Sequence, residues 1–299
     1  MKMNLLKRFN IYQKERFQIS ILVFTTISVV LSSAAVVLGP GDVLSNHILG
    51  IFIALITSLL FMFHIRVLDE HKDYDFDTKY HMNRPVQRGL ISLKELLTLN
   101  IIGLIILFSI NVIVSTKATI FLLFAFGYTL IAGKEFFIKN WIRKRFFLYN
   151  LVNLLQLLFL QFYLYSIIEP NFSFGNPILS IHFVFVLFNV GLLEFARKLK
   201  TKAEENEAQD TYSSKIGIRK ASMIYAAICL IVFGLFTHMF FEINNNVLLF
   251  IIGLGTLNIA IFSIIYYASE KHKNGSMILQ IFAALYYIAM HLLLVISKL

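Results

Sequence analysis

Residues 51–77 read IFIALITSLLFMFHIRVLDEHKDYDFD, an apolar run that leads directly into a cluster of acids. The apolar part and its neighbours are long enough to cross a bilayer. If the helix continues through the acids, Asp69, Glu70, Asp73 and Asp77 fall within an arc of about 100°, because each residue of a helix turns by about 100°. The sequence therefore predicts a row of carboxylates on one helix face, at the point where a transmembrane helix meets water.

Such a face is unfavourable unless a cation neutralises it. Like charges on one face of a helix repel each other, and the negative end of the helix dipole adds to the repulsion. Mg²⁺ binds a few carboxylates, keeps some of its waters and completes its coordination with phosphate oxygens. We therefore favour a Mg²⁺ site for a diphosphate substrate, and the alternative is a solvated acidic loop next to the membrane.

The composition of the chain indicates a polytopic membrane protein. Of the 299 residues, 58% are hydrophobic and 15% are charged. The long apolar runs show no strand alternation, so we expect helices, which satisfy their own backbone hydrogen bonds in lipid. The sequence predicts an all-α transmembrane helical bundle of about nine spans in one domain, residues 1–299. The predicted spans are 18–39, 47–67, 94–115, 118–133, 146–168, 178–197, 220–241, 247–268 and 276–297.

Lys and Arg are concentrated in alternate loops. The segment before the first span is basic, the next loop has no Lys or Arg, and the alternation continues to the last basic loop, with Lys271 and Lys273. By the positive-inside rule, this pattern predicts a cytosolic amino terminus and an external carboxyl terminus. The same rule and the attraction to anionic lipid account for the net charge of +10, so we expect no nucleic-acid partner.

The acidic segment is followed by Asn83-Arg84-Pro85, and this combination resembles the UbiA-type superfamily of intramembrane prenyltransferases. The first motif of that family is Asn-Asp-x-x-Asp-x-x-x-Asp, followed by an Arg-Pro loop. Here the motif begins with Asp69-Glu70 in place of Asn-Asp, and both residues still offer oxygen ligands. The resemblance implies that all four acids bind metal, that Asp73 and Asp77 act in catalysis, and that Arg84 binds diphosphate.

The resemblance also implies a second metal motif, usually Asp-x-x-x-Asp, in the loop after the sixth span. Here the corresponding residues are Glu194 and Lys198, with further acids at Glu204, Glu205, Glu207 and Asp210. We expect Glu194 and Asp210 to bind metal, and Glu194 and Lys198 to be catalytic. Lys198 and Lys215 are expected to reach phosphate oxygens. The alternative is a solvated amphipathic loop.

The basic loop between the fourth and fifth predicted spans is a third candidate wall of the site. Arg143 and Lys144 are its candidate diphosphate ligands, because guanidinium and ammonium groups stabilise a departing diphosphate. Basic loops on the inner side also exist for topology alone, and that alternative stays open.

The distribution of charge favours an enzyme over a transporter. The predicted spans carry no Asp, Glu, Lys or Arg near their middle, where an ion-coupled transporter usually needs one.

We expect Mg²⁺-dependent transfer of a prenyl group from a polyprenyl diphosphate to a small acceptor at the cytosolic membrane face. In the resembled family, aromatic acids and quinone precursors are the usual acceptors. The alternatives are a terpene cyclase on the same scaffold and a non-catalytic lipid carrier or transporter. We expect a bacterial plasma membrane and no obligate protein partner.

Overall fold

The computed structural model describes residues 3–39, 41–205, 207–244, 246–270 and 274–298. The regular secondary structure in these ranges is helical, and they contain no strands. Two short 3₁₀ helices, Leu44–His47 and Glu135–Phe137, accompany the α-helices. The α-helices are α1 Leu5–Arg16, α2 Ile19–Val37, α3 Ile48–Lys72, α4 Tyr74–Tyr80, α5 Leu93–Val114, α6 Thr116–Gly133, α7 Lys139–Ile142, α8 Phe146–Ile168, α9 Pro177–Arg197, α10 Tyr212–Ile216, α11 Ile218–Ile243, α12 Val247–Ala268 and α13 Gly275–Lys298.

Within the part of the chain that the structure describes, nine helices are long and apolar enough to cross a membrane. They are α2, α3, α5, α6, α8, α9, α11, α12 and α13. The prediction of an all-α polytopic membrane protein is therefore confirmed. Most helix ends lie within a few residues of the predicted ones, but α3 continues to Lys72. Lys271 and Lys273, used in the topology prediction, lie outside the described residues.

The chain forms two compact units, of which the first combines Met1–Val30 with Asp42–Phe172. In this unit α3 packs against α5 and α8, and α6 packs against α5 and α8. The approach of α3 to α8 is close, since a Cβ atom at Gly50 would lie 2.7 Å from the carbonyl oxygen of Ile167. The acidic segment therefore follows a helix that is held on two sides.

The amino-terminal helix α1 belongs to the first unit and packs beside the acidic segment. Tyr12 is fully buried in an apolar cluster with Phe63 and Val67 of α3. Val86 and Ile91, from the loop that contains Arg84-Pro85, complete this side of the cluster. One apolar cluster thus connects α1, the end of α3 and the Arg-Pro loop.

The second unit combines Leu31–Gly41 with Ser173–Leu299. In it α9 packs against α11 and α13, and α12 packs against the same two helices. The short helix α10 packs against α11 and precedes it by a single residue, Gly217, whose φ of 81° is unstrained only for glycine. The second acidic loop lies between α9 and α10 in this unit. The single-domain expectation stays a prediction.

Candidate active site

The acidic segment is a bent helix rather than a continuous one. Helix α3 ends at Lys72, and α4 begins at Tyr74, so that Asp73 stands at the junction with φ −100° and ψ 10°. The backbone hydrogen bonds Asp73 N to Asp69 O (2.9 Å) and Asp77 N to Asp73 O (2.8 Å) continue across the bend. The expectation of one uninterrupted helix through the acids is therefore wrong. Around this interruption, Glu70, Asp73 and Asp77 pair with arginines that come from separate segments of the chain.

Glu70 is buried in an ion pair. Its side chain is 0% exposed, and its Oε1 accepts a hydrogen bond from Arg16 Nε at 3.0 Å. Arg66 Nε lies 3.5 Å from the same oxygen, and the hydroxyl of Tyr12 donates to it at 3.4 Å. A carboxylate this deeply buried needs such partners, because an unpaired buried charge is strongly unfavourable. In this structure the carboxylate of Glu70 is therefore held between Arg16 and Arg66.

Asp77, on the other side of the bend, is buried in the same way. Its side chain is 2% exposed and forms a close ion pair with Arg84 of the Arg-Pro loop. Arg16 Nη2 lies 3.7 Å from the second carboxylate oxygen. The structure thus places Arg84, the expected diphosphate ligand, on the carboxylate of Asp77.

Of the four acids predicted to bind metal in this segment, Asp69 and Asp73 are the accessible ones, with side chains 34% and 35% exposed. Asp69 pairs with Lys72 Nζ at 3.0 Å, whereas Arg143 Nη2 is 3.8 Å from Asp73. Partial burial raises the pKa of Asp73, and the charges of Asp69 and Asp77 raise it further, although Lys72 and Arg143 oppose them. The charge at Asp73 is therefore not fully compensated, and an added cation would stabilise it.

Arg143 is held in place by Glu135, which sequence analysis did not single out. Nε and Nη2 of Arg143 both lie 2.6 Å from Oε1 of Glu135, whose side chain is 4% exposed. Glu135, Phe136 and Phe137 have φ values of 52°, 54° and 59°. Non-glycine residues in this left-handed region cost about 1–3 kcal/mol each and persist only where surrounding contacts fix them. The turn and the ion pair direct Arg143 towards Asp73, whereas Lys144 is exposed to solvent.

Lys72 is a further residue that sequence reasoning missed. Its side chain is 9% exposed, and its Nζ lies 3.4 Å from Asn153 Oδ1 and 5.5 Å from the ring centroid of Tyr149. Its position three residues after Asp69 was a usable signal, because side chains at that spacing share a helix face. Arg16 gave no such signal, since it lies 54 residues before Glu70.

In the second unit, Glu194 lies beside Lys198, and the charge of Asp210 also acts on Lys198. Glu194 pairs with Arg197 at 2.8 Å and with Lys198 at 3.5 Å. Burial lowers the pKa of Lys198, with a further contribution from Arg197, while the charges of Glu194 and Asp210 oppose the shift. The structure thus places Glu194 and Lys198 of the second motif in contact, and Asp210 is close enough for its charge to act on Lys198. Lys215, in α10, is exposed.

Glu204 and Glu205, between Glu194 and Asp210, form hydrogen bonds that stabilise the loop. Oε2 of Glu204 accepts hydrogen bonds from the backbone N of Thr201 at 3.0 Å and from its hydroxyl at 2.8 Å. Oε1 of Glu205 accepts a hydrogen bond from the hydroxyl of Ser213 at 2.8 Å and another from Thr211. These carboxylates therefore have structural partners within the loop.

Among residues 3–39, 41–205, 207–244, 246–270 and 274–298, no group of three or more His, Cys, Asp or Glu side chains is arranged to hold a metal ion. Mg²⁺ does not require one, because it binds proteins through one or two carboxylates and takes its other ligands from water and substrate phosphate. Asp69 and Asp73 fit this need, since they are accessible and one helical turn apart. Glu70 and Asp77 fit it less well, because their side chains are only 0% and 2% exposed.

The comparison with protein families decides the assignment. A family model described as the UbiA prenyltransferase family matches residues 21–286. The chain belongs to the UbiA prenyltransferase family. It is therefore an integral membrane enzyme of the prenyltransferase class, and the family implies a prenyl diphosphate as substrate. The resemblance noted in the acidic motif is confirmed.

A solved structure supports the same fold for this prenyltransferase. The structure comes from work on digeranylgeranylglyceryl phosphate synthase in membranes and has a TM-score of 0.61 to this chain. It is 14% identical, and the similarity covers 98% of this chain and 99% of that one. At this identity the likeness shows the fold alone. No curated protein sequence matches the chain significantly.

Proposed function

We propose that this UbiA enzyme transfers a prenyl group from a polyprenyl diphosphate to a small acceptor, with Mg²⁺ held by Asp69 and Asp73. The proposed acceptor is an aromatic acid or a quinone precursor, bound at the cytosolic face of a bacterial plasma membrane. When bound, Mg²⁺ would neutralise the negative charge that develops on the diphosphate leaving group. The observation that carries the proposal is the difference in burial among the four acids, since Glu70 and Asp77 are buried whereas Asp69 and Asp73 are about one-third exposed.

This difference divides the acids into two sets. Glu70 and Asp77 are 0% and 2% exposed, and each is already neutralised by arginine. Asp69 and Asp73 are each about one-third exposed, so a metal ion can reach their carboxylates. Of the acids predicted to bind metal in this segment, we therefore assign the metal to Asp69 and Asp73 and a positioning role to Glu70 and Asp77.

Arg143 is the diphosphate ligand that the geometry supports best. It reaches within 3.8 Å of Asp73, and the ion pair with Glu135 fixes its guanidinium in advance of substrate binding. A preorganised cation beside a departing anion stabilises the transition state more than one that must reorient. Lys144 would act less directly because it is exposed, and Arg84 because it pairs with Asp77.

The second acidic group has a separate part in the proposal. Glu194 contacts the partly buried Lys198, and the charge of Asp210 acts on the same amine, which supports binding of a second cation by the carboxylates and of a phosphate oxygen by the amine. Lys215 is proposed as an additional, exposed phosphate contact. The assignment rests on the position of this loop after the sixth span and on the grouping of these three side chains.

The experiment is a turnover assay with purified enzyme in lipid vesicles. Labelled prenyl diphosphates are supplied with and without candidate acceptors, inorganic diphosphate is measured, and products are identified by mass spectrometry. The proposal predicts Mg²⁺-dependent diphosphate release and a prenylated acceptor. Diphosphate release with a cyclised product and no acceptor would instead indicate a cyclase. No release with any chain length would contradict the proposal.

A further inference from the structure

The side chain of Arg16, the last residue of α1, lies between two acids on opposite sides of the bend at Asp73. Its Nε is 3.0 Å from Glu70 in α3, and its Nη2 is 3.7 Å from Asp77 in α4. Arg16 itself is 15% exposed. One guanidinium from outside the acidic segment therefore connects its two halves.

We propose that Arg16 is a positioning residue for the active site: through Glu70 and Asp77 it fixes the bend at Asp73 and so sets the affinity of the site for Mg²⁺. The inference rests on the proposed function, because it takes Asp69 and Asp73 as the metal ligands. The planar fork of arginine suits this role, since it presents donors to two carboxylates at once, whereas lysine offers a single point charge.

The bend depends on this contact because the two carboxylates are buried. With Arg16 removed, Glu70 keeps Arg66 at 3.5 Å and Asp77 keeps Arg84, but neither of these two ion pairs connects the two acids. The connection across the bend is then left to the backbone hydrogen bonds from Asp73 N to Asp69 O and from Asp77 N to Asp73 O. Each carboxylate would then follow its remaining arginine. Asp73 lies between them, so its carboxylate would move relative to that of Asp69.

The attachment of α1 does not depend on Arg16. The apolar cluster around Tyr12 holds the middle of the helix. Arg8 pairs with Glu95 at 2.6 Å, and Glu15 pairs with Arg88 at 2.7 Å. A substitution at Arg16 therefore tests the connection between the acids without removing the helix.

The test compares Arg16→Gln and Arg16→Lys with Arg88→Gln in full-length enzyme. Arg88→Gln is a matched control, because it also removes an arginine pair between α1 and the Arg-Pro loop region, but one that does not involve the acidic segment. The Mg²⁺ midpoint of diphosphate release is measured for each variant. Independently of turnover, the rise in melting temperature is measured in a Mg²⁺ titration, since a ligand that binds the native state stabilises it.

For Arg16→Gln we expect the Mg²⁺ midpoint to rise about 10–100-fold by both measurements, the range found when a group that orients metal ligands is removed. Arg16→Lys should give an intermediate midpoint, and Arg88→Gln should keep the wild-type value. In the double variant with Glu70→Gln, the combined rise should be smaller than the product of the two single rises, because both changes disturb one contact.

Three results would overturn the inference. The first is a wild-type Mg²⁺ midpoint in Arg16→Gln, and the second is an equal rise in Arg88→Gln, which would indicate a general effect of α1. The third is a rise in the Mg²⁺ midpoint of the double variant that equals the product of the rises in Arg16→Gln and Glu70→Gln. If Arg16→Gln does not fold, Arg16→Lys decides, with a wild-type midpoint counting against the inference. A wild-type enzyme with neither Mg²⁺-dependent release nor Mg²⁺-dependent stabilisation would instead refute the proposed function, and the inference with it.

Discussion

Glu135→Gln removes the negative charge that holds Arg143 in place, and its effect on stability follows from the contact. Nε and Nη2 of Arg143 each lie 2.6 Å from Oε1 of Glu135. Hydrogen bonds to charged groups contribute about 1.5–3 kcal/mol each. Because Arg143 is 35% exposed and glutamine keeps an acceptor, we reduce the expected loss to about 1–3 kcal/mol in total.

The control for this change is Glu15→Gln, which disrupts another close arginine pair. Glu15 and Arg88 are both 39% exposed, and exposed pairs contribute only about 0.2–1 kcal/mol. In a chain of 299 residues, with an unfolding entropy of about 2.1 cal/mol/K per residue, a loss of about 2 kcal/mol corresponds to roughly 3 °C in melting temperature. Thermal unfolding of both variants in the same detergent therefore separates the two expectations.

Glu135→Gln should also reduce activity, because Arg143 loses the partner that directs it towards Asp73. We expect kcat/KM for the prenyl diphosphate to fall about tenfold, the equivalent of about 1.4 kcal/mol. Glu15→Gln should leave it unchanged. If Glu135→Gln melts within about 1 °C of Glu15→Gln and turns over normally, the reasoning on this ion pair is refuted.

Two further predictions concern the second acidic group. Glu194→Gln should raise the Mg²⁺ midpoint of diphosphate release, because the amide keeps the shape of the side chain but loses its charge. A midpoint equal to that of wild type would show that Glu194 only pairs with Arg197 and Lys198, and each such pair stabilises the fold by about 0.3–0.5 kcal/mol. Burial lowers the pKa of Lys198, so its positive charge is lost at a lower pH than that of an ordinary lysine. The alkaline fall of kcat/KM, which reports the free enzyme, should therefore lie at lower pH in wild type than in Lys198→Arg, and coinciding profiles would exclude Lys198 from diphosphate binding.

The spans were predictable because they depend on local properties. The apolar run from Ile51 to Phe63 reads as a membrane helix in isolation, and the structure has it inside α3. The junction at Asp73 was not predictable in the same way. The acids around it pair with Arg16, Arg84 and Arg143, which come from three separate segments, and helical spacing alone carries no information about such partners.

In the acidic loop of the second unit, too, residue spacing predicted only part of the arrangement. Spacing drew attention to Glu194 and Lys198, which the structure brings together one helical turn apart. Spacing could not distinguish Asp210, whose charge acts on Lys198, from Glu204 and Glu205, which bind serine and threonine groups in the loop. The difference depends on hydroxyl partners placed by the folded loop.

The most direct test of the assignment of Mg²⁺ to Asp69 and Asp73 is the rate of Mg²⁺-dependent diphosphate release by Asp73→Ala compared with Asp75→Ala. The two acids lie two residues apart, but Asp75 is exposed on α4, whereas Asp73 stands at the bend beside Arg143. We predict that Asp73→Ala abolishes release while the protein remains folded, and that Asp75→Ala retains it. Near-normal release by purified Asp73→Ala would contradict the assignment.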